Sequence, residues 1–574
     1  AFVLLNLRGM VEPGHADREI VDLLFFPTGG GKTEAYLGLA AFTLILRRLR
    51  NPGVSSAGLT VLMRYTLRLL TLDQLGRAAT LICALELERQ ADPVTLGTWP
   101  FEIGLWVGQA ATPNRMGSKQ DDNEYTARHK TIAYKNGRTQ VAPIPLENCP
   151  WCGEKFTSGS FQLWPHPDQP TDLRVACVNR ACDFAGHTGR TLPIVSVDEP
   201  IYRRLPGFLI ATLDKFAAMP WTGDTGALFG RVDRYDAAGF YGPCAPQRGQ
   251  PLPGPDHRLP PPELIIQDEL HLIAGPLGTI AGLYEAAMET LCRDERAVPP
   301  VRPKILASTA TVRRAEYQIR ALFDRGEVDI FPPPGLDRRD SFFAETHPPE
   351  RTHPRLYLGV AAPGRSLKVV MLRVYLALMA AAQKAHDNAK TSPRPAGEGA
   401  GVRAFDPADP YLTLVGYFNS LRELGGSRRI VEDEVTSRLA SYGGRRRLNE
   451  PAETGLFANR AIQFEVLELT SRVSTADVAR AKRRLEQDFG HKERVDIALA
   501  TNMISVGLDI TRLGLMVLLG QPKTCAEYIQ ASSRVGRDPE RPGLILTLLN
   551  VHRPRDRSHY ERFTAYHQSF YRGV

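Results

Sequence analysis

The chain alternates short apolar runs with stretches of helical spacing. Leu23-Leu24-Phe25-Phe26 is an apolar run broken by Pro27 and three glycines, and an Ala/Leu-rich helical pattern follows from Glu34 to Leu49. Gly58 to Arg68 is a second apolar strand with a polar tip, and Leu69 to Arg89 again has helical spacing. Strand–helix alternation of this kind predicts a parallel sheet covered by helices. Between about Gln90 and Leu205 the rhythm lapses into polar, Pro- and Gly-containing segments. It returns at Gly207–Phe216, at Leu264–Gln267 and at Lys304–Thr311, with a Pro/Gly-rich loop from Thr222 to Pro262. A second half has the same rhythm. Its expected strands are Arg355–Val360, Leu412–Phe418, Glu468–Arg472, Asp496–Asn502, Leu515–Leu519 and Leu544–Leu548. Ser366–Asn388 and Glu527–Ser533 are predicted helices, and the Pro/Gly-rich Thr391–Pro410 reads as a connector.

The expected organisation is therefore α/β with two tandem parallel-sheet domains. The first comprises residues 1–89 and 206–330, interrupted by an insertion over 90–205. A linker follows at 331–354, and the second domain is 355–574.

Composition narrows the classes. The 574 residues are 43% hydrophobic and 23% charged, as in an ordinary soluble globular protein. A formal charge of +8 permits an anionic partner without demanding one. No window of 18 apolar residues offers a membrane span. Eight cysteines form no disulfide framework, which points to the cytoplasm. The chain opens on Ala1 and enters a strand by Leu23, so it is expected to be a piece of a longer protein.

The candidate chemistry sits at strand ends. Thr28-Gly29-Gly30-Gly31-Lys32-Thr33 follows a strand and opens a helix. Glycines let successive N–H groups turn towards one anion, and the helix adds its positive end. Lys32 is placed to reach the outer phosphates of ATP, and the Thr33 hydroxyl to hold Mg²⁺. The usual phosphate-loop pattern begins with glycine; here that position is Phe26. Asp268 and Glu269 end the strand Leu264–Gln267, where an aspartate ligates Mg²⁺ and a neighbouring acid aligns or deprotonates water. Arg64, Thr66 and Arg68 are candidate phosphate contacts. Cys149 and Cys152 on a Pro/Gly knuckle, with Cys177 and Cys182, have the spacing of a structural Zn²⁺ site. A redox pair is the competing reading, with His166 or His187 available as substitute ligands.

In this order the motifs resemble those of the superfamily 2 helicases and translocases. They are Pro27–Thr33, Arg64–Arg68, Asp268–His271, Ser308–Thr311, Val415–Ser420, Thr501–Ile510 and Gln530–Arg537. Besides Phe26, Ser533 departs from the pattern, where glycine is usual. The resemblance implies two RecA-like domains with ATP in the cleft between them. By position it assigns phosphates and Mg²⁺ to Lys32, Thr33 and Asp268, and water activation to Glu269. Gly507 and Asp509 join the nucleotide site, Gln530 senses the γ-phosphate, and Arg534 and Arg537 are arginine fingers. It also implies coupling through Ser308, Thr309 and His271. Nucleic-acid contacts fall on Arg64, Thr66, Thr212, Asn419, Ser471 and Thr501. The segment His552–Arg572, rich in arginine and aromatic residues, is either a further nucleic-acid contact or a helix packed on its own domain.

Gln267–Thr279 and Glu468–Val473 further resemble the helicase subunit of the DISARM bacterial anti-phage system. That resemblance implies an ATP-dependent DNA helicase or translocase working with a second defence-complex subunit (DrmB-like). An ATP-gated nucleic-acid scaffold and an RNA helicase are the alternatives.

Overall fold

The structure is a computed structural model. It describes residues 1–25, 31–65, 68–109, 111–254, 257–273, 275–309, 315–333, 336, 340, 342–343, 345–348, 350–391, 406–445, 455–463, 465–470, 472–473, 475–501 and 510–569. Its contacts divide the chain into two units, Ala1–Leu336 and Asp337–Val574.

The strands of the first unit, in chain order, begin with β1 (Val21–Phe25), β2 (Val61–Tyr65), β3 (Ile103–Trp106), β4 (Phe161–Trp164), β5 (Asp172–Val175) and β6 (Ile194–Val195). They continue with β7 (Phe208–Thr212), β8 (Arg234–Asp236), β9 (Gly239–Tyr241), β10 (Gln250–Pro251), β11 (Leu264–Gln267), β12 (Lys304–Thr309) and β13 (Val328–Phe331). Eight of them form one sheet in the order β13-β1-β12-β11-β2-β7-β3-β6, and its neighbouring strands pair in parallel. Strands β2, β7, β11 and β12 are buried along their whole length. That is why they read as unbroken apolar runs rather than alternations.

The register matters for the site. Phe25 pairs with Thr309, and Gln267 with Ala307. The ends of β1, β12 and β11 therefore lie side by side at the carboxyl edge, where open parallel sheets bind ligands.

Two expectations are corrected. The stretch 90–205 is not wholly an insertion, because β3 and β6 belong to the main sheet. The short run Ile103–Val107 was the available signal, hidden among polar neighbours. Between β3 and β6 lie the cysteines and the antiparallel ribbon β4–β5. Nor is Thr222–Pro262 simply a loop. It holds the antiparallel sheet β10-β8-β9 and buries Leu228, Phe229, Val232, Phe240, Leu252 and Leu259 in the unit's core. Those apolar residues outweigh the Pro and Gly content.

Helix Lys32–Arg50 covers the sheet and carries a fully buried cation. Arg47 donates to the carbonyls of Leu59 (2.9 Å), Ala57 (3.1 Å), Pro260 (2.5 Å) and Pro261 (3.1 Å), where the chain enters β2 and β11. Burial lowers its pKa to about 10, which leaves it charged at neutral pH. Arg47→Met would strip donors from these carbonyls. Denaturant titration should show a loss of about 3 kcal/mol or more, since each unsatisfied buried group costs about 1–3 kcal/mol.

The second unit holds β14 (Leu356–Val360), β15 (Leu414–Phe418), β16 (Leu467–Leu469), β17 (Ile497–Ala500), β18 (Leu515–Leu519) and β19 (Leu544–Leu548). They form a parallel sheet in the order β14-β19-β18-β15-β17-β16. Helix Leu367–Thr391 contributes Met371, Tyr375, Leu376 and Met379 to its core. Two parallel α/β units in tandem match the RecA-like pair that the motifs imply. Among the described residues, no helix is long and apolar enough to cross a membrane.

Candidate nucleotide and metal sites

Gly31 has a φ of +78°, which is left-handed and suits glycine, and the helix starts at Lys32. Thr28, Gly29 and Gly30 lie outside the described residues. Lys32 Nζ is buried, with no hydrogen-bond partner among the described residues. Thr33 and Tyr36, three apart, share one face of the helix. That face meets the end of β11. The Tyr36 hydroxyl lies 3.1 Å from Thr33 Oγ1 and 3.1 Å from Asp268 Oδ2.

Asp268 is 4% exposed and its carboxylate is held on both oxygens. Oδ1 accepts from the Ser308 hydroxyl and from the Glu269 N–H at 2.9 Å, and Oδ2 faces Tyr36. Glu269 takes φ +49° and ψ +49°. A left-handed non-glycine residue costs about 1–2 kcal/mol and marks a place where the surroundings dictate the backbone. Here it turns the chain sharply after β11. Glu269 Oε2 comes 3.3 Å from His271 Nδ1, which is also 3.3 Å from Thr309 Oγ1. Gln318 steadies this turn, donating to Leu270 O (3.0 Å) and Ile273 O (2.5 Å). Burial, and then the charge of Asp268, push the Tyr36 phenol well above its ordinary value, so it stays protonated. Tyr65, fully buried, is raised by burial and by the proximity of Tyr36 and Asp268.

The sequence thus pointed to Lys32, Thr33, Asp268, Glu269, Ser308, Thr309 and His271, and the structure brings them to one sheet edge. It missed Tyr36 and Gln318. For Tyr36 a signal existed, its helical spacing from Thr33; for Gln318 there was none.

Arg64 requires correction as a phosphate contact. It is 1% exposed, paired with Glu285 Oε2 at 2.5 Å, and stacked 5.6 Å from the Phe323 ring centroid. Its strand is central in the sheet, and the side chain points to the face covered by helix Gly275–Leu291. Extracting it would leave Glu285 buried and unpaired. Thr212, at the end of β7, is 1% exposed, and Thr501, after β17, is 5% exposed. Asn419 follows β15 and donates to Leu519 O at 3.1 Å. Thr66, Ser471, Gly507 and Asp509 lie outside the described residues.

In the second unit, Gln530 lies on helix Cys525–Ser532, capped by the Thr524 side chain accepting from Glu527 N. Gln530 and Arg534 are 5% and 6% exposed. Arg537 Nε donates to Ser533 O at 3.1 Å, and Arg355 Nε to Val535 O at 2.7 Å. Between them Gly536 has φ +62°, and a Cβ there would sit 2.3 Å from Gly543 N. Only glycine fits this turn, and the backbone carrying both arginines is correspondingly constrained. The closing segment packs on its own unit. Phe563 stacks on His567, which contacts Tyr357 and lies 2.9 Å from the Tyr528 hydroxyl.

The four predicted cysteines converge. Their sulfurs all lie within 4.8 Å of one another, with Cys149–Cys182 at 4.0 Å and Cys152–Cys177 at 3.5 Å. A tetrahedral ion with Zn–S bonds of about 2.3 Å needs sulfurs about 3.8 Å apart. Backbone bonds shape both knuckles: Cys149 N donates to Glu154 O at 2.7 Å and Cys177 N to Phe184 O at 2.9 Å. Burial raises the Cys149 thiol and pushes Cys182 up to about 11. The Thr80 hydroxyl, on helix Arg68–Ala91, donates to Pro150 O at 2.8 Å and ties the first knuckle to that helix.

Residues 443–539 match the helicase conserved C-terminal domain. Over its whole length the chain is 42% identical to the DISARM protein DrmA of Bacillus paralicheniformis, and it covers 49% of that protein. The chain thus spans about half the length of this curated relative. Among solved structures, the DUF1998 helicase MrfA bound to DNA is similar over 96% of this chain and 46% of its own, at 12% identity and TM-score 0.46. The helicase Lhr of Mycobacterium smegmatis, bound to ssDNA and AMP-PNP, is similar over 96% and 47%, at 14% identity and TM-score 0.43.

Proposed function

From a chain of superfamily 2 helicase type, similar throughout to the DISARM protein DrmA, we infer an ATP-driven DNA helicase or translocase, the motor of a bacterial anti-phage defence complex. The observation that carries this reading is the convergence of Lys32, Thr33, Asp268 and Glu269 at one carboxyl edge, with Lys32 Nζ buried and lacking a hydrogen-bond partner among the described residues. A cationic amine in that condition suits a phosphate. A hydroxyl and a carboxylate drawn together by one phenol suit a hard cation such as Mg²⁺.

When bound, Mg²⁺ would neutralise charge on the phosphates of ATP. Lys32 would bind those phosphates, and Thr33 and Asp268 would hold the ion. Glu269 orients water and takes its proton, and Gln530, Arg534 and Arg537 act on the γ-phosphate and the charge that develops there. Gly507 and Asp509 are assigned to the same nucleotide. Thr66, Thr212, Asn419, Ser471 and Thr501 are assigned to the nucleic-acid backbone, which lets a motor ignore sequence. A linker over 331–354 between the two α/β domains accompanies this reading. The cysteine cluster is assigned to structural Zn²⁺. The work is placed in the cytoplasm, with a second defence-complex subunit as partner.

ATP hydrolysis should rise severalfold or more on adding tailed DNA and less with RNA of the same sequence. Equal stimulation by RNA would make it an RNA helicase, and none by either would favour a nucleotide-gated scaffold. Strand displacement with 5′, 3′ and blunt substrates then separates unwinding from translocation.

A further inference from the structure

The reading of the site as one for ATP and Mg²⁺ leaves Tyr36 without a part, and on that reading we infer that Tyr36 is a positioning residue for the metal. It orients the Thr33 hydroxyl through a two-bond chain that ends on Asp268. The ring is 2% exposed, and its oxygen is equidistant, 3.1 Å, from Thr33 Oγ1 and Asp268 Oδ2. A phenol has a single proton, and an ionised carboxylate can only accept. That proton is shared between Thr33 Oγ1 and Asp268 Oδ2, which both accept from the phenol. With one lone pair of Thr33 Oγ1 engaged by Tyr36, the hydroxyl oxygen is held in place and turns its second lone pair, which a cation requires, to a restricted direction.

The same chain restricts Asp268. Its oxygens already receive the Ser308 hydroxyl, the Glu269 N–H and Tyr36. A carboxylate offers about four acceptor sites, and the Tyr65 phenol lies against the same group, so the directions left to Asp268 are few. Both protein groups are set before the ion arrives, and the entropy of orienting them is not lost on binding. Phenylalanine at position 36 would keep the packing, remove the donor that holds Thr33 Oγ1 and leave the Thr33 hydroxyl free to reorient, including onto Asp268.

The test measures binding of a fluorescent non-hydrolysable ATP analogue, with EDTA and across a Mg²⁺ titration. In the unaltered protein Mg²⁺ should tighten binding. Tyr36→Phe should leave metal-free affinity unchanged and reduce the Mg²⁺ enhancement about tenfold, the scale of a lost hydrogen bond to a charged group. In a Thr33→Val background the same change should have no further effect. An unchanged enhancement, an equal loss of metal-free affinity, or an effect that persists without the threonine hydroxyl would each overturn the inference. No Mg²⁺ response in the unaltered protein would instead overturn the ATP reading on which it rests. If Tyr36→Phe does not fold, 3-fluorotyrosine at position 36 supplies the readout. Its fluorine resonance should move on adding Mg²⁺ with nucleotide and not with nucleotide alone, and a resonance indifferent to Mg²⁺ would overturn the proposal.

Discussion

Glu269→Gln is expected to lower DNA-stimulated ATP turnover by about 10²–10⁴-fold, the usual contribution of a positioned general base, while nucleotide affinity changes little. The substitution keeps the size and the hydrogen-bonding edge of the side chain and removes its basicity. It also leaves the Asp268 carboxylate in place, since Glu269 contacts it through the backbone N–H rather than the side chain. The left-handed backbone at Glu269 bears on the choice of residue. Alanine would alter the strained turn and the contact to His271 together, so glutamine is the cleaner probe. Turnover and fluorescent-nucleotide binding measured on one preparation check the expectation. Loss of binding in parallel with turnover would mean that the side chain holds nucleotide rather than activating water.

Removal of the zinc proposed for the cysteine cluster should unfold the segment around it. Zinc analysis should find one ion per chain, and stripping with a strong chelator should expose residues between β3 and β6 to proteolysis. Structural zinc binds with about 10–16 kcal/mol in small zinc-binding peptides, and much of that is folding energy. Cys149, Cys177 and Cys182 are buried in a region built on an antiparallel ribbon of four-residue strands. Such a ribbon is marginal by itself. Cys152→Ser should lower zinc occupancy and produce the same cleavage pattern. Helix Arg68–Ala91 touches the first knuckle through Thr80, so the loss should also loosen the end of β2. A folded, protease-resistant protein free of zinc would remove the metal from this account of the cysteines.

Much of this molecule could be read from its residues in order. Apolar runs such as Leu264–Gln267 and Leu515–Leu519 became buried parallel strands because both faces of each sheet are covered, and a strand covered on both sides must be apolar throughout. Polar groups placed just past those runs, Lys32, Asp268, Ser308 and Thr309, fell at the carboxyl edge because parallel strands end together. Cysteine spacing anticipated the convergence of sulfurs because short loops leave two thiols few directions to point. What tertiary structure decided were contacts between segments far apart in the chain. Arg64 read as a phosphate contact until Glu285, on a helix more than two hundred residues later, enclosed it. Tyr36 gained a partner only when β11 brought Asp268 to its hydroxyl. Strand order alone placed Ile103–Trp106 in the main sheet, through pairing with β7 across a polar segment that conceals the connection. Local sequence carries element type and chain direction; which charge is neutralised and which hydroxyl is shared depend on partners that only the completed sheet brings within reach.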